Sequence, residues 1–244
     1  MTEDIKDKLN ISTPTGAKFL DVKKAFDKVW HHGLIYKLKR EQFPRKLVNI
    51  IQIYLHGRTF RVRIGDKLSK GKEVNAGVPQ GSVVGPLLYN IYTADIPTPD
   101  KCKLAQFADN TELYISRRMK SAVQKGLQED LQRIRKYFET WKIKVNPNNT
   151  VGVYFDHRNR ERKPPEVIYN GHPIAWEKKT KYLGVIMDGN LKFRTQILEN
   201  IKKARQMQAY LNPLLNEESR MSIENKMKII KTIIIPGLTY GGEI

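Results

Sequence analysis

The sequence has little cysteine, a shortage of acidic residues and no long hydrophobic run. Its 244 residues include one cysteine, Cys102, which excludes disulfides and cysteine-ligated zinc sites within the chain. No segment is long and apolar enough to span a bilayer, and the acidic start, Met1 to Asp4, does not resemble a secretory signal. We therefore expect an intracellular protein without a membrane anchor, in the nucleus, the cytoplasm or both.

The shortage of acidic residues leaves a large positive charge. Lys and Arg number 44 against 25 Asp and Glu, a net charge of +19, and they are spread along the whole chain. So large an excess repels itself unless a polyanion neutralises it, which favours nucleic acid as the partner. A merely soluble basic protein is the alternative. A membrane surface is disfavoured, because no helix is basic on one face and aromatic on the other.

Hydrophobic periodicity predicts a mixed α+β chain. The expected elements are a short helix at 3–10, a buried strand at 17–22, helix from Ala25, a second helix from Pro44, a strand at 60–64 turning at 65–66, a helix at 82–95, a hairpin at 104–115 and a strand at 151–155. The strongest helical stripe, which we expect to be core, consists of Val123, Leu127, Leu131, Ile134, Phe138 and Trp141.

Turn signals and a change of composition divide the second half of the chain. Asn170-Gly171 and Asp188-Gly189 each predict a hairpin turn. From about Phe193 to Ile235 the pattern is helical. The change near Asp188 predicts a boundary between an α+β unit and a helical appendage.

Three short motifs follow one another in a fixed order. They are FLDVKKAFD at 19–27, GVPQGS at 77–82 and FADN at 107–110. A buried strand that ends in Asp21, beside a hairpin tip that bears Asp109, would bring two carboxylates together. One or two carboxylates with substrate phosphates are the usual way in which proteins hold Mg²⁺ for phosphoryl transfer. Taken singly, each Asp is more often a cap or turn residue.

The ordered set resembles the motifs of reverse transcriptases from non-LTR retrotransposons, in particular the jockey-like group. The similar segments are 20–30 (first catalytic motif), 77–88 (Gly-x-Pro-Gln-Gly motif), 107–110 (aromatic-Ala-Asp-Asp box), 182–184 (primer-grip region), WHHGL at 30–34 and NIY at 90–92. The resemblance runs from about Thr15 to the end of the chain.

The resemblance implies a right-hand polymerase palm, in which an antiparallel sheet packs on helices, with a C-terminal helical thumb-like part. Residues 1–16 would be a remnant of the fingers, 17–188 the palm and 189–244 a truncated thumb-like region. The implied reaction is RNA-directed DNA synthesis, in which a primer 3′-hydroxyl attacks a deoxynucleoside triphosphate with two Mg²⁺ ions, or Mn²⁺ as substitute. The implied partners are an RNA template, a DNA primer and deoxynucleoside triphosphates.

The resemblance also implies roles for individual residues. Asp21 and Asp109 would be metal ligands and catalytic residues, and Asn110 stands at the catalytic position of a further carboxylate. The implied nucleotide- and template-binding residues are Ala25, through its backbone N–H, Phe26, as the steric gate against a ribose 2′-hydroxyl, and Gln80 and Gly81, against the incoming nucleotide and template. Phe26 is also a candidate core aromatic.

Three departures from the family pattern predict impaired catalysis. Asn110 removes a negative charge, and Asn149 stands where relatives usually carry a lysine that is the proposed proton donor to pyrophosphate. The basic fingers segment that precedes the first motif in relatives is not seen in the sequence, nor are an endonuclease domain or a zinc knuckle. The sequence therefore predicts a truncated polymerase with impaired catalysis. The alternative is a non-catalytic nucleic-acid-binding relic or repurposed fragment.

Overall fold

A five-stranded sheet forms the centre of the fold. The computed structural model describes residues 1–158 and 163–242, so the last two residues of the predicted thumb-like region, 243–244, lie outside the described residues. The strands, in their order across the sheet, are β11 (Trp176–Glu177), β8 (Val151–Phe155), β1 (Thr15–Asp21), β7 (Asn110–Ser116) and β6 (Lys103–Phe107). All neighbours pair antiparallel except β11, which runs parallel to β8.

The remaining elements surround this sheet. Short strands pair two by two: β2 (Thr59–Phe60) with β5 (Lys72–Glu73), β3 (Arg63–Ile64) with β4 (Lys67–Leu68), β9 (Val167–Tyr169) with β10 (His172–Ile174), and β12 (Lys179–Tyr182) with β13 (Val185–Asp188). The helices are α1 (Thr2–Asn10), α2 (His31–Arg40), α3 (Arg45–Leu55), α4 (Val84–Thr93), α5 (Lys120–Thr140), α6 (Arg194–Leu215), α7 (Ile223–Ile229) and α8 (Ile235–Thr239). A 3₁₀ helix spans Phe26–Lys28, and a π-helical turn, Ile230–Ile234, joins α7 to α8.

Each face of the sheet has its own hydrophobic core. Alternate residues of a strand point to opposite faces, so Leu20 packs with the core under α5, while Ala17 and Phe19 pack with α1 and the β12–β13 hairpin. Gly16 permits the close approach of α5, because a Cβ there would lie 2.4 Å from Val123 Cγ1. Among the described residues, no helix is long and apolar enough to cross a membrane.

The structure confirms the α+β class and most of the predicted elements. The strand at 17–22, the hairpin at 104–115, the helix after Pro44 and the hairpin turn at Asn170-Gly171 are all present. In the α5 stripe, five residues are at most 1% exposed, and the sixth, Trp141, is partly buried just beyond the helix. Cys102 is buried, as expected of a small core residue.

The predicted helix from Ala25 is wrong. A 3₁₀ helix covers Phe26–Lys28, and regular helix begins only at His31. The carbonyls of Phe26 and Val29 accept hydrogen bonds from the backbone N–H groups of Val78 and Gly77, at 2.8 Å each. A continuous α-helix would need those carbonyls for its own N–H groups.

Two further expectations are corrected. The predicted strand at 60–64 is split into β2 and β3, which pair with different partners, because the backbone N–H of Val62 donates instead to the Ser69 hydroxyl. Asp188-Gly189 is not a hairpin turn. Asp188 Oδ1 accepts from the N–H groups of Asn190 and Lys192, a bonding pattern that leads the chain away from β13 toward α6.

The turn of the β12–β13 hairpin lies instead at Leu183-Gly184, where both residues have positive φ, +46° and +83°. Two consecutive residues with positive φ suit a two-residue hairpin turn. The predicted helical region after Phe193 is interrupted between α6 and α7.

A lysine of the central sheet is enclosed by residues of β10 and β11. Lys18 of β1 is 0% exposed, and its Nζ donates to the Ile174 carbonyl at 2.9 Å and lies 3.5 Å from the centroid of the Trp176 ring. Gly152 on the neighbouring strand makes room for it. Burial lowers the pKa of Lys18 to about 7, since an ammonium ion loses hydration in the interior.

We predict that Lys18→Met stabilises the protein near neutral pH and not at high pH. The Lys18 pKa is about 7 in the fold against 10.5 in an exposed lysine, so folding releases a proton between these values and wild-type stability rises with pH across that window. The variant lacks this rise, so its advantage in the free energy of unfolding should shrink by about 2 kcal/mol from about pH 7 to about pH 9.

Urea unfolding at the two pH values measures this difference. Lys125→Met, at an exposed position of α5, is the matched control and should show no such pH dependence. A Lys18→Met difference that stays constant with pH would show that Lys18 is charged in the fold.

Candidate active site

Two acidic residues of the first and third motifs lie at neighbouring strand ends. Asp21 is the last residue of β1 and pairs with Asn110, the first residue of β7. Asp109 shares a two-residue turn with Ala108, closed by the pair Phe107 and Asn110. Ala108 adopts a φ of +51°, a region that residues with a Cβ seldom enter. The turn therefore presents Asp109 at the hairpin tip, beside the end of β1.

Amide side chains hold both carboxylates. Asp21 Oδ2 accepts hydrogen bonds from Asn149 Nδ2 at 2.9 Å and Asn146 Nδ2 at 3.2 Å. The Asn146 backbone N–H also donates to the Asp21 carbonyl at 2.7 Å, which ties the segment after α5 to the end of β1. Asn110 Nδ2 donates to Asp109 Oδ1 at 3.4 Å. Asn110 thus directs its amide nitrogen, and not a negative oxygen, toward Asp109.

The two carboxylates fit a divalent ion that is shared with a substrate. Asp21 and Asp109 offer two carboxylates, and Mg²⁺ is commonly held by one or two protein carboxylates together with substrate phosphates. Within residues 1–158 and 163–242, no group of three or more His, Cys, Asp or Glu side chains is placed to hold a metal ion. Asp21 and Asp109 would therefore supply only part of a coordination shell, and substrate oxygens would have to supply the rest.

The second motif is fastened to the first. The backbone N–H of Gly77 donates to the Val29 carbonyl at 2.8 Å, and Gln80 Nε2 donates to Asp27 Oδ1 at 2.8 Å. Gly77 has a φ of +91°, and a Cβ there would lie 2.6 Å from the Asp27 carbonyl oxygen. Only glycine fits this contact, so the close approach of the two motifs depends on it.

The remaining predicted site residues belong to the first and second motifs. The Phe26 ring lies 4.9 Å from the Tyr89 ring of α4, centroid to centroid, and Ala25 is buried beside it in the core. Burial and then the nearby charge of Asp109 raise the pKa of Tyr89, which places Asp109 within electrostatic reach of this aromatic pair. Gly81 has a φ of +78° with open space where a Cβ would stand, so its backbone is open to a ligand.

Sequence reasoning missed two contacts of this region. One is the Asn146 bond to Asp21. The other is Glu112, which shares a face of β7 with Asn110 and is 1% exposed; its Oε2 accepts from the Tyr182 hydroxyl at 2.9 Å. Burial raises the pKa of Glu112 to about 7. The sequence signal that could have revealed this contact is a charged residue, Glu112, within the otherwise buried strand β7. The contact fastens the β12–β13 hairpin to the sheet close to Asn110.

Comparison with known proteins assigns the family. The model of the family described as "Reverse transcriptase (RNA-dependent DNA polymerase)" matches residues 2–187. The chain is 36% identical over 231 residues to a probable RNA-directed DNA polymerase from transposon X-element, and 36% identical over 235 residues to the RNA-directed DNA polymerase from mobile element jockey, both of Drosophila melanogaster. Each match covers 93% of this chain and 25% of the relative, so the chain spans about a quarter of those proteins.

Solved structures agree in fold. A telomerase from Candida tropicalis, in complex with a fragment of telomeric RNA, superposes with a TM-score of 0.51 at 14% identity, covering 99% of this chain and 40% of that one. The telomerase likeness shows the right-hand polymerase fold alone. The family match shows that the chain belongs to the reverse transcriptase (RNA-dependent DNA polymerase) family, and the curated relatives to which it is similar are RNA-directed DNA polymerases of mobile elements such as jockey.

Proposed function

We propose that this chain is the palm, with a thumb-like helical part, of an RNA-directed DNA polymerase whose chemical step is impaired. The observation that carries the proposal is the pair of strand ends that brings Asp21 beside Asp109 while an amide, Asn110, stands opposite Asp21. The divisions 1–16, 17–188 and 189–244, as fingers remnant, palm and truncated thumb, belong to this proposal. So do the partners: an RNA template, a DNA primer and deoxynucleoside triphosphates.

Asp21 and Asp109 would hold the divalent ions that reverse transcriptases use. We propose Mg²⁺, as two ions, with Mn²⁺ as a substitute. Bound there, Mg²⁺ would supply positive charge to the phosphate groups during transfer. Asn110 retains the shape of aspartate and brings no negative charge to a site that must concentrate dications. Loss of one preorganised electrostatic group in an active site typically lowers the rate about 10²–10³-fold.

Asn149 weakens the site in a second way. Its amide donates to Asp21 Oδ2 at 2.9 Å, so it competes with a metal ion for that oxygen. A carboxamide is also far too weak an acid to transfer a proton to a leaving pyrophosphate, whereas the ammonium group of the lysine that the family resemblance leads us to expect there can do so. General-acid help of this kind is worth roughly 10²–10⁴ in rate.

Phe26, Ala25, Gln80 and Gly81 would receive the nucleotide and template. The Phe26 ring lies on Tyr89, so it is held from behind and is suited to act as a steric gate. The bond from Gln80 to Asp27 keeps the second motif against the first. The alternative function, nucleic-acid binding without catalysis, is favoured by the net charge of +19 together with the incomplete carboxylate set.

We predict that restoring the missing groups restores activity stepwise. Asn110→Asp supplies the third carboxylate, and Asn149→Lys supplies a proton donor and removes one of the two amide hydrogen bonds to Asp21 Oδ2. Primer extension on an RNA template, with Mg²⁺ or Mn²⁺, should be weakest in the natural chain, greater in each single variant by about 10²-fold or more, and greatest in the double variant behind a fingers segment from an intact relative.

Asp21→Ala in the double variant is the control and should abolish extension. If the natural chain extends primers as fast as its Asn110→Asp form, the missing carboxylate is not what limits catalysis.

We predict salt-sensitive binding to RNA, DNA and hybrid duplexes with little sequence preference. Lys23, Arg61 and Arg63 are exposed, and each phosphate that such a cation neutralises releases counterions. Replacing two of the three by Gln should reduce the slope of log affinity against log salt by about 2. Fluorescence anisotropy titrations at several salt concentrations measure the slope. Equal affinity at low and high salt would contradict a phosphate-binding surface.

We predict that Phe26→Ala relaxes sugar discrimination. In the Asn110→Asp/Asn149→Lys background, ribonucleotide incorporation should rise relative to deoxyribonucleotide incorporation, because the ring no longer excludes a 2′-hydroxyl. Single-nucleotide extension with each substrate gives the ratio, and Phe26→Tyr, which keeps the ring, is the matched control. An unchanged ratio in Phe26→Ala would show that Phe26 is a core residue beside Tyr89 and not a steric gate.

A further inference from the structure

The motif at 30–34 takes no part in the site described above, although its first three residues line a cavity of about 780 Å³. The cavity lies between α2, the segment that joins α3 to β2, and Lys142, the second residue after α5. It is separate from Asp21 and Asp109, neither of which lines it.

Positive charge dominates the walls of this cavity. Lys39, Arg58 and Lys142 line it together with a single carboxylate, Glu73. Among the residues that the structure describes, none of these three cations forms an ion pair with a carboxylate. Three imidazole rings complete the walls, those of His31, His32 and His56. A concave surface with so many unneutralised donors favours an anion.

The fold holds Lys142 at the rim. Its Nζ lies 4.1 Å from the centroid of the Trp30 ring, a cation–π contact, and Trp30 in turn rests on Gly33, where a Cβ would lie 2.6 Å from the ring. Lys142 has a φ of +53° at a position just past a helix end, where glycine is the favoured residue. A lysine in this strained conformation keeps its ammonium group beside the cavity.

An aromatic ring is open to solvent at the same place. Tyr36 lines the cavity and is 59% exposed, while Lys39 follows it by three residues and so lies on the same side of α2. Stacking of bases on exposed aromatic rings, flanked by cations that track phosphates, is how proteins bind single strands without reading sequence.

The cavity is joined to the second motif. His31 Nε2 donates to the Gly77 carbonyl at 2.8 Å, and Arg58 Nη1 donates to the same oxygen at 3.4 Å. Gly77 begins the motif that contains Gln80 and Gly81. A strand in the cavity would therefore lie next to the segment proposed to meet the template.

We propose that this cavity binds single-stranded nucleic acid, with a base against Tyr36 and its flanking phosphates against Lys39, Arg58 and Lys142. The proposal rests on the proposed function, in which the strand is the unpaired template adjoining the copied region. A duplex does not fit the same surface, because its bases stack on one another and leave none free for Tyr36.

The experiment compares a primer–template hybrid duplex that carries a single-stranded 5′ extension of the RNA with the same duplex made blunt. Fluorescence anisotropy should show tighter binding of the extended form by the natural chain. Tyr36→Ala should weaken binding of the extended form by roughly tenfold and leave blunt-duplex affinity unchanged. Lys39→Gln/Lys142→Gln should reduce the salt slope for the extended form by about 1.4, the value for two phosphates of a single strand.

Two matched controls separate the cavity from general charge and from folding. Arg118→Gln/Lys125→Gln removes the same charge at exposed positions outside the cavity and should lower both affinities equally. Tyr36→Phe keeps the ring and should bind as the natural chain does. Circular dichroism thermal melts verify that each variant is folded.

The outcomes distinguish this proposal from the function on which it rests. The cavity is not a single-strand site if the natural chain binds both duplexes equally, or if Tyr36→Ala shows the same increase in affinity for the extended duplex as the natural chain. In either case the proposed function still stands. If the natural chain binds neither duplex, the proposed function itself fails.

Discussion

The antiparallel pairing of β1 with β7 is the constraint on which the rest of the site depends. Its register places Asp21 opposite Asn110 and continues to Thr15 opposite Ser116. A slip of one residue would move every side chain of β1 to the other face. Asp21 would then turn toward α5, and Leu20 would leave the core. The apolar residues on the two faces of β1 therefore hold the carboxylate in place, and packing and site geometry share one cause.

Each strand of this pair also buries one ionisable side chain. Lys18 of β1 is fully buried with the Ile174 carbonyl as partner, and Glu112 of β7 is buried with the Tyr182 hydroxyl. Burial moves the pKa of each toward neutrality, to about 7 in both cases. Unpartnered polar groups in these positions would be costly, so each bond fixes the neighbouring element: β10 and β11 on one side, the β12–β13 hairpin on the other.

Near the strand ends, hydrogen bonds rather than apolar contacts connect the segments of the site. Gly77 is bonded to Val29 and His31, Gln80 to Asp27, and Asn146 to Asp21. These bonds hold together three segments that are distant in the chain. The impairment that we propose is electrostatic, because Asn110 keeps its place opposite Asp21 and carries no negative charge. The nucleic-acid contacts that we propose for this chain would not depend on the third carboxylate.

The sequence by itself determined the elements whose signal is local. Short apolar runs predicted the strands β7 and β8, and helical spacing predicted the α5 stripe, because burial leaves apolar residues at these positions. The ordered motifs predicted the family and the place of Asp21 and Asp109. The tertiary structure alone decided where long-range partners override local pattern. Bonds from Val78 and Gly77 shorten the helix expected from Ala25, and the Asp188 side chain turns the chain away from a hairpin. The Asn146 contact, the Glu112–Tyr182 bond and the cavity beside Trp30 likewise join residues far apart in the chain. No periodicity records such contacts, since their partners are distant in the chain and meet only in the tertiary structure.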